Sequence, residues 1–171
     1  MKFYVQHIVW FLSLIALQVL VLDSIQFMGL FLPFVYVYPI LHLPANMRTH
    51  WVVLVSFLTG MVIDVFSNTP GMHASAATLM GFLRYPVLRL FVLKEDLGMR
   101  NVQSEWLGWS VYWKYAALLV LLHHVSLFLL ESFTFLHVGL LLIKIPVCFI
   151  LTLVCIFCFE QFKPRGHATK F

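Results

Sequence analysis

The sequence predicts an all-α, polytopic membrane protein with six transmembrane helices in one bundle. Three observations lead there. Hydrophobic residues make up 62% of the 171 and charged residues only 11%, with a mean hydropathy of +0.95; a soluble domain is nearer half apolar and a quarter charged. The apolar residues gather into runs separated by short polar connections. Lysine and arginine fall on alternate connections, as an even number of crossings requires. The formal charge of +4 is not a nucleic-acid footprint, because the basic residues stand between apolar runs and not on one polar face.

The chain reads as a single membrane domain with spans at about 7–22, 30–43, 51–66, 73–93, 115–130 and 138–159. The first run follows Lys2 and has no small-x-small cleavage site behind it, so it reads as an uncleaved span. Asp23, Gln26 and Gly29 turn the chain into the second run, which carries Pro33, Pro39 and Pro44. Pro33 suits a helix start, whereas Pro39 should bend the helix that contains it. After Asn46, Arg48 and His50, Trp51 marks a membrane–water boundary. The third run is only about 24 Å long at the helical rise, a marginal span.

Thr69-Pro70 reads as the start of the fourth helix, the hydroxyl as N-cap and the proline at the first helical position. Asp64 then ends the third helix near the positive end of the fourth, where a negative charge is favoured. A carboxylate this deep in apolar sequence is a functional candidate. Ala74, Ala77, Thr78 and Gly81 recur at three- and four-residue spacings and form a face that lets another helix approach closely. Arg84 and Arg89, further along, are expected to snorkel to the interface.

The connection 94–114 is polar, of mixed charge, with Trp106, Trp109, Tyr112 and Trp113 in its second half. That composition suggests a helix at headgroup level. The fifth run holds His123-His124, which point about 100° apart on a helix and form no compact chelate by themselves. Glu131, Ser132 and His137 bound the next turn, and the sixth run carries Lys144 and Pro146. Cys148, Cys155 and Cys158 all lie in that run and read as small apolar residues; nothing nearby completes a four-ligand metal set.

With six spans, Lys2, Arg48, Lys94, Arg100, Lys163, Arg165 and Lys170 share one side, and the connections near Asp23, Asn68 and Glu131 carry no lysine or arginine. The positive-inside rule puts both termini in the cytoplasm. Asp64, Asn68, His73, Glu131 and His137 then gather at the outer face. Lys144 lies one to two turns into the sixth span from that face, where it wants Asp64 or Glu131 as an ion-pair partner.

The stretch Gly60-Met61-Val62-Ile63-Asp64-Val65-Phe66-Ser67-Asn68-Thr69-Pro70-Gly71-Met72-His73-Ala74, followed by Gly81 and Tyr85, resembles the MreD family of rod shape-determining proteins. These are small bacterial inner-membrane proteins of five or six spans. Their most recognisable segment runs from a glycine through an aspartate, a serine, a proline and a glycine into a small-residue helix. Here Pro70 and Gly71 are adjacent, without the residue that usually separates them. The resemblance implies a fold like the S-component of energy-coupling-factor transporters. It also implies a part in peptidoglycan elongation beside an MreC-like membrane protein, an MreB-like filament, a RodA-like polymerase and a class B penicillin-binding protein. It brings no cofactor and no catalytic residue.

The leading expectation is therefore a non-catalytic adaptor of the bacterial inner membrane that maintains cell shape. Gly60, Asp64, Asn68, Pro70, Gly71, His73 and Gly81 are its motif and partner-docking candidates. A buried aspartate that satisfies backbone amides, and a small-residue face that packs internally, are the structural alternatives at the same positions. The alternative function is a small-molecule-binding transporter subunit with an outward-opening cavity, using Asp64, Glu131 and Lys144. A metal site from His73, His137 and Glu131 has no H-E-x-x-H or comparable pattern behind it, so no enzyme is expected.

Overall fold

The computed structural model describes residues 2–22, 31–92, 107–132 and 138–162. Among these the chain is helical, with no strand: α1 (Lys2–Leu17), α2 (Val37–Leu41), α3 (Thr49–Ser67), α4 (Met72–Arg89), α5 (Trp109–Glu131) and α6 (Val138–Phe162). The last residues of the first run, Gln18–Leu22, continue α1 as a π-helical turn. Three helices, Thr49–Ser67, Trp109–Glu131 and the Leu142–Gln161 part of α6, are long and apolar enough to cross a membrane. At the helical rise α3 is about 28 Å long, longer than the 51–66 run suggested.

The face pattern of α3 is the reverse of a soluble helix. Its buried stripe is Val52, Ser56, Thr59, Gly60, Ile63 and Asp64, spaced as one helical face. Its exposed side carries Leu54, Phe57, Leu58, Met61, Val62, Val65 and Phe66. Small and polar residues inside with large apolar ones outside suit a helix whose solvent is lipid. The stripe meets α4, its most extensive neighbour; α4 in turn packs on α5, and α5 on α6.

Glycine makes the α3–α4 approach possible. A Cβ on Gly60 would lie 2.5 Å from Ala74 Cα, and one on Gly81 would lie 2.4 Å from Ser56 Oγ. The small face of the fourth run, with Ala74, Ala77 and Gly81 all buried, is thus spent on a neighbour within the chain.

The second run departs most from expectation. It is helical only over Val37–Leu41, not over 30–43. Three prolines explain this: each lacks an N–H, and each biases the residue before it away from helix. Pro39 bends nothing, because it sits in the first turn of α2, where its missing donor has no intrahelical role. Residues 34–41 are all buried, so this short, mostly irregular piece of chain is the centre around which the long helices stand.

Irregular backbone in an apolar interior must find its hydrogen bonds in side chains. Here four surrounding elements supply them. The Phe34 N–H donates to Thr152 Oγ1 of α6 at 3.0 Å, and the Val35 N–H to Gln18 Oε1 of the π-turn at 2.7 Å. From α5, the Tyr115 hydroxyl donates to the Leu41 carbonyl at 3.2 Å. From α4, the Arg84 guanidinium donates to the carbonyls of Pro44 at 3.3 Å, Leu41 at 3.5 Å, and Leu43. Arg84 is 2% exposed. It does not snorkel, because three carbonyls beside the C-terminus of α2 offer acceptors inside the bundle.

The headgroup-level helix expected for 94–114 lies largely outside the described residues. Its end, Trp109 to Lys114, is the first turn and a half of α5 and not a separate element.

Candidate functional site

The sequence singles out the end of α3 and the start of α4, and the structure gives these residues one local architecture. Asn68 closes α3 in the left-handed conformation (φ 54°), and Gly71 precedes α4 in the same region (φ 83°). Asparagine and glycine are the residues that enter this region most cheaply. The cap of α4 is neither Thr69 nor Pro70 but Asp64, from the preceding helix. Its Oδ1 accepts the His73 N–H and its Oδ2 the Ala74 N–H, both at 2.9 Å. Thr69, expected as N-cap, instead donates its hydroxyl to Asp64 Oδ1 at 3.0 Å. One carboxylate thus satisfies two free amides at a helix N-terminus, charge-assisted and aligned with the dipole.

The seven motif candidates divide by exposure. Gly60, Asp64, His73 and Gly81 are buried, and Asn68, Pro70 and Gly71 are exposed. The buried four hold α3 and α4 together, so only the turn itself presents a surface.

The ion-pair expectation resolves to one partner. Lys144 Nζ lies 2.5 Å from Glu131 Oε1 and 5.4 Å from the centre of the Phe128 ring. Asp64 does not pair with Lys144, since backbone amides and Thr69 already occupy both its oxygens. Among the described residues no group of three histidine, cysteine or acidic side chains forms a metal set; His137 lies outside them. The three cysteines are free thiols.

Two buried polar groups on the central segment were not singled out by the sequence. The first is built on Tyr36. Its hydroxyl lies 3.0 Å from His73 Nδ1 of α4 and 2.5 Å from His123 Nε2 of α5. Beside it, His124 Nδ1 contacts the Val120 carbonyl at 2.8 Å and His124 Nε2 contacts Thr152 Oγ1 at 3.2 Å. The Phe34 ring fills the space between, its centre 5.4 Å from His73, 6.0 Å from His123 and 5.3 Å from His124.

The second group is at the opposite end of the segment. The Tyr38 hydroxyl donates to Glu160 Oε2 at 2.8 Å, and His42 Nε2 reaches the same oxygen at 3.2 Å. The Tyr112 hydroxyl stands 3.4 Å from that histidine nitrogen. Glu160, one residue past the expected span 138–159, is a buried residue of α6. The signal for both groups was available in part: polar side chains inside apolar runs are rarely idle. That Tyr36 and Tyr38 would be their meeting points depends on packing.

Searched against family models, curated proteins and solved structures, the chain matches none of them.

Proposed function

We propose that this chain is a non-catalytic membrane adaptor of the MreD kind, which binds a single-span MreC-like partner and links it to the wall-synthesis machinery. The observation that carries the reading is the α3–α4 turn. Asp64 fixes it from beneath, and Asn68, Pro70 and Gly71 stand exposed on top. Val65 and Phe66 flank the turn at 73% and 65% exposure. A rigid polar turn between apolar side chains suits recognition of a helix just where it leaves the bilayer.

The topology belongs to the same proposal: six crossings, both termini in the cytoplasm of a bacterium, and the α3–α4 turn on the outer side. The second crossing is then the segment 31–44, whose residues 34–41 are buried among the helices, the condition under which irregular backbone is tolerated at membrane depth. An S-component-like arrangement is part of this reading. MreB-like, RodA-like and penicillin-binding partners would be reached from the cytoplasmic and outer ends.

The test is site-specific crosslinking in cells. A photoreactive residue at Asn68 or Pro70 is expected to capture an MreC-like protein, whereas one at lipid-facing Leu142 is not. Capture at neither turn position, with normal protein level, overturns the docking role. A stoichiometric small molecule in the purified protein would favour the transporter reading instead.

A further inference from the structure

The polar group at the Glu160 end of the central segment brings four donors of three kinds to one place. Tyr38 and His42 come from the segment, Tyr112 from α5 and Glu160 from α6. Their contacts run from the Tyr38 hydroxyl to Glu160 Oε2 at 2.8 Å, on to His42 Nε2 at 3.2 Å, and on to the Tyr112 hydroxyl at 3.4 Å. Tyr112 is also within hydrogen-bonding reach of Glu160. Donors about 2.0–2.1 Å from a common first-row metal ion lie about 2.8 Å apart along an octahedral edge and about 3.3 Å along a tetrahedral one. The observed spacings run over the same range.

The histidine is oriented as a ligand. Its Nδ1 stands 3.0 Å from the Tyr38 carbonyl, an oxygen that only accepts, so Nδ1 carries a hydrogen. In the neutral imidazole Nε2 is then a bare lone pair, 3.2 Å from a carboxylate oxygen. Two acceptors that close need a positive charge between them, either a proton or a metal ion. A backbone carbonyl behind Nδ1 and a bare Nε2 in front is the arrangement that fixes metal-ligating histidines.

The donor chemistry selects the ion. One carboxylate and two phenols are hard oxygen donors, and among the described residues no thiolate or second imidazole joins them. A phenol keeps its proton at neutral pH unless a strongly acidic cation displaces it. Ferric iron is such a cation and takes phenolate ligands. Its charge, set against a carboxylate and two phenolates, leaves the complex neutral. Neutrality matters because Tyr38 is 2%, Tyr112 0% and Glu160 8% exposed, and an unbalanced charge at such depth is costly. The rings of Trp10 and Phe159 wall the group, their centres 5.9 and 5.8 Å from that of Tyr38. The His42 side chain, 12% exposed, is its open edge.

We propose that Tyr38, His42, Tyr112 and Glu160 form a binding site for ferric iron at this end of the bundle. Binding forms a bond from iron to each phenolate oxygen, one to the Glu160 carboxylate and one to His42 Nε2. The phenol protons leave to water, as does the Nε2 proton of His42 when that ring is charged. The bound ion ties α5 and α6 to the central segment. This inference goes beyond the adaptor reading and stands or falls without it.

The experiment uses the full chain in lipid nanodiscs, with ferric ion supplied as its nitrilotriacetate chelate. A phenolate-to-iron charge-transfer band in the visible is expected, saturating at one iron per chain, with tyrosinate ring modes enhanced in resonance Raman. Tyr38→Phe and Tyr112→Phe should each remove about half of the intensity, since one phenolate remains, and Glu160→Gln should weaken iron binding at least about tenfold. Tyr85→Phe, at a ring that lies under Arg89, should change neither. Absence of the band at saturating chelate, with the protein folded, overturns the site and leaves His42 and Glu160 as an ion pair completed by a proton. A band that keeps its full strength in both phenylalanine variants reports iron on other groups and overturns it too. If those variants do not fold, Glu160→Gln, nearly equal in volume to the native residue, decides in their place: unchanged iron affinity overturns the site.

Discussion

The α3–α4 pair and the central segment solve the same problem, backbone polarity in an apolar interior, by opposite means. The pair does it with regular helices: glycines bring them together, and one carboxylate closes the junction nine and ten residues away in sequence. The segment abandons the helix after one turn or so and borrows its hydrogen bonds from side chains up to 118 residues away. In the first region the determinants are close in sequence and mostly small. In the second they are remote, long and polar. Damage at the glycines of the pair is therefore steric, whereas damage to the segment leaves buried groups unsatisfied.

That contrast can be tested by substitution, with stability in mixed micelles as the measurement. Arg84→Met strikes the segment hardest. It keeps the apolar stem but removes the donor of the Leu43 carbonyl and one of two donors at the Leu41 and Pro44 carbonyls, and a loss of about 3 kcal/mol is expected, roughly 1–3 for the orphaned group and the rest from the two weakened ones. A loss under about 1 kcal/mol would mean that the carbonyls find other donors readily. Gly60→Ala tests the pair. Its new methyl meets backbone atoms at 2.5 Å, so α3 and α4 must separate, at about 3 kcal/mol. Gly81→Ala meets a serine side chain instead, and is expected to be rescued by Ser56→Gly as Gly60→Ala is not.

Thr152→Val comes next. It removes the acceptor of the Phe34 N–H and a contact of His124 without changing volume much, for about 2 kcal/mol. The smallest effect belongs to Glu131 and Lys144, whose side chains are 40% and 21% exposed. Exchanging the two charges should restore most of what either single reversal loses, with a pair worth about 1 kcal/mol or less. Failure of the exchange to rescue would mean that the pair's surroundings, the Phe128 ring above all, are orientation-specific.

The sequence made the pair legible because its signals are local. Gly60, Asp64 and the turn residues lie within one short stretch, and the spacing of Ala74, Ala77 and Gly81 announces a close helix contact. Even there, Thr69 as the cap was the wrong choice between two neighbouring oxygens, since only folding shows that Asp64 reaches past it. The central segment was legible only in its prolines. Their number said that 30–43 would not be one straight helix, but nothing nearby says that Gln18, Arg84, Tyr115 and Thr152 will cap it. Arg84 looked like an interfacial residue because its destination, three carbonyls about 40 residues back, is invisible to any window of sequence. Glu160 fell outside the expected span 138–159 for the same reason: its partners Tyr38 and His42 are 122 and 118 residues away in sequence.

The borrowed hydrogen bonds also fix an order of events during synthesis. Of the described residues that satisfy the backbone of the central segment, Gln18 is made before it. Arg84, Tyr115 and Thr152 leave the ribosome 43, 74 and 118 residues after their respective partners Leu41, Leu41 and Phe34. Until α6 has been delivered, the segment has no complete set of partners and cannot settle in an apolar environment. The centre of the chain is therefore the part whose hydrogen bonds are completed last, when Thr152 of α6 reaches Phe34.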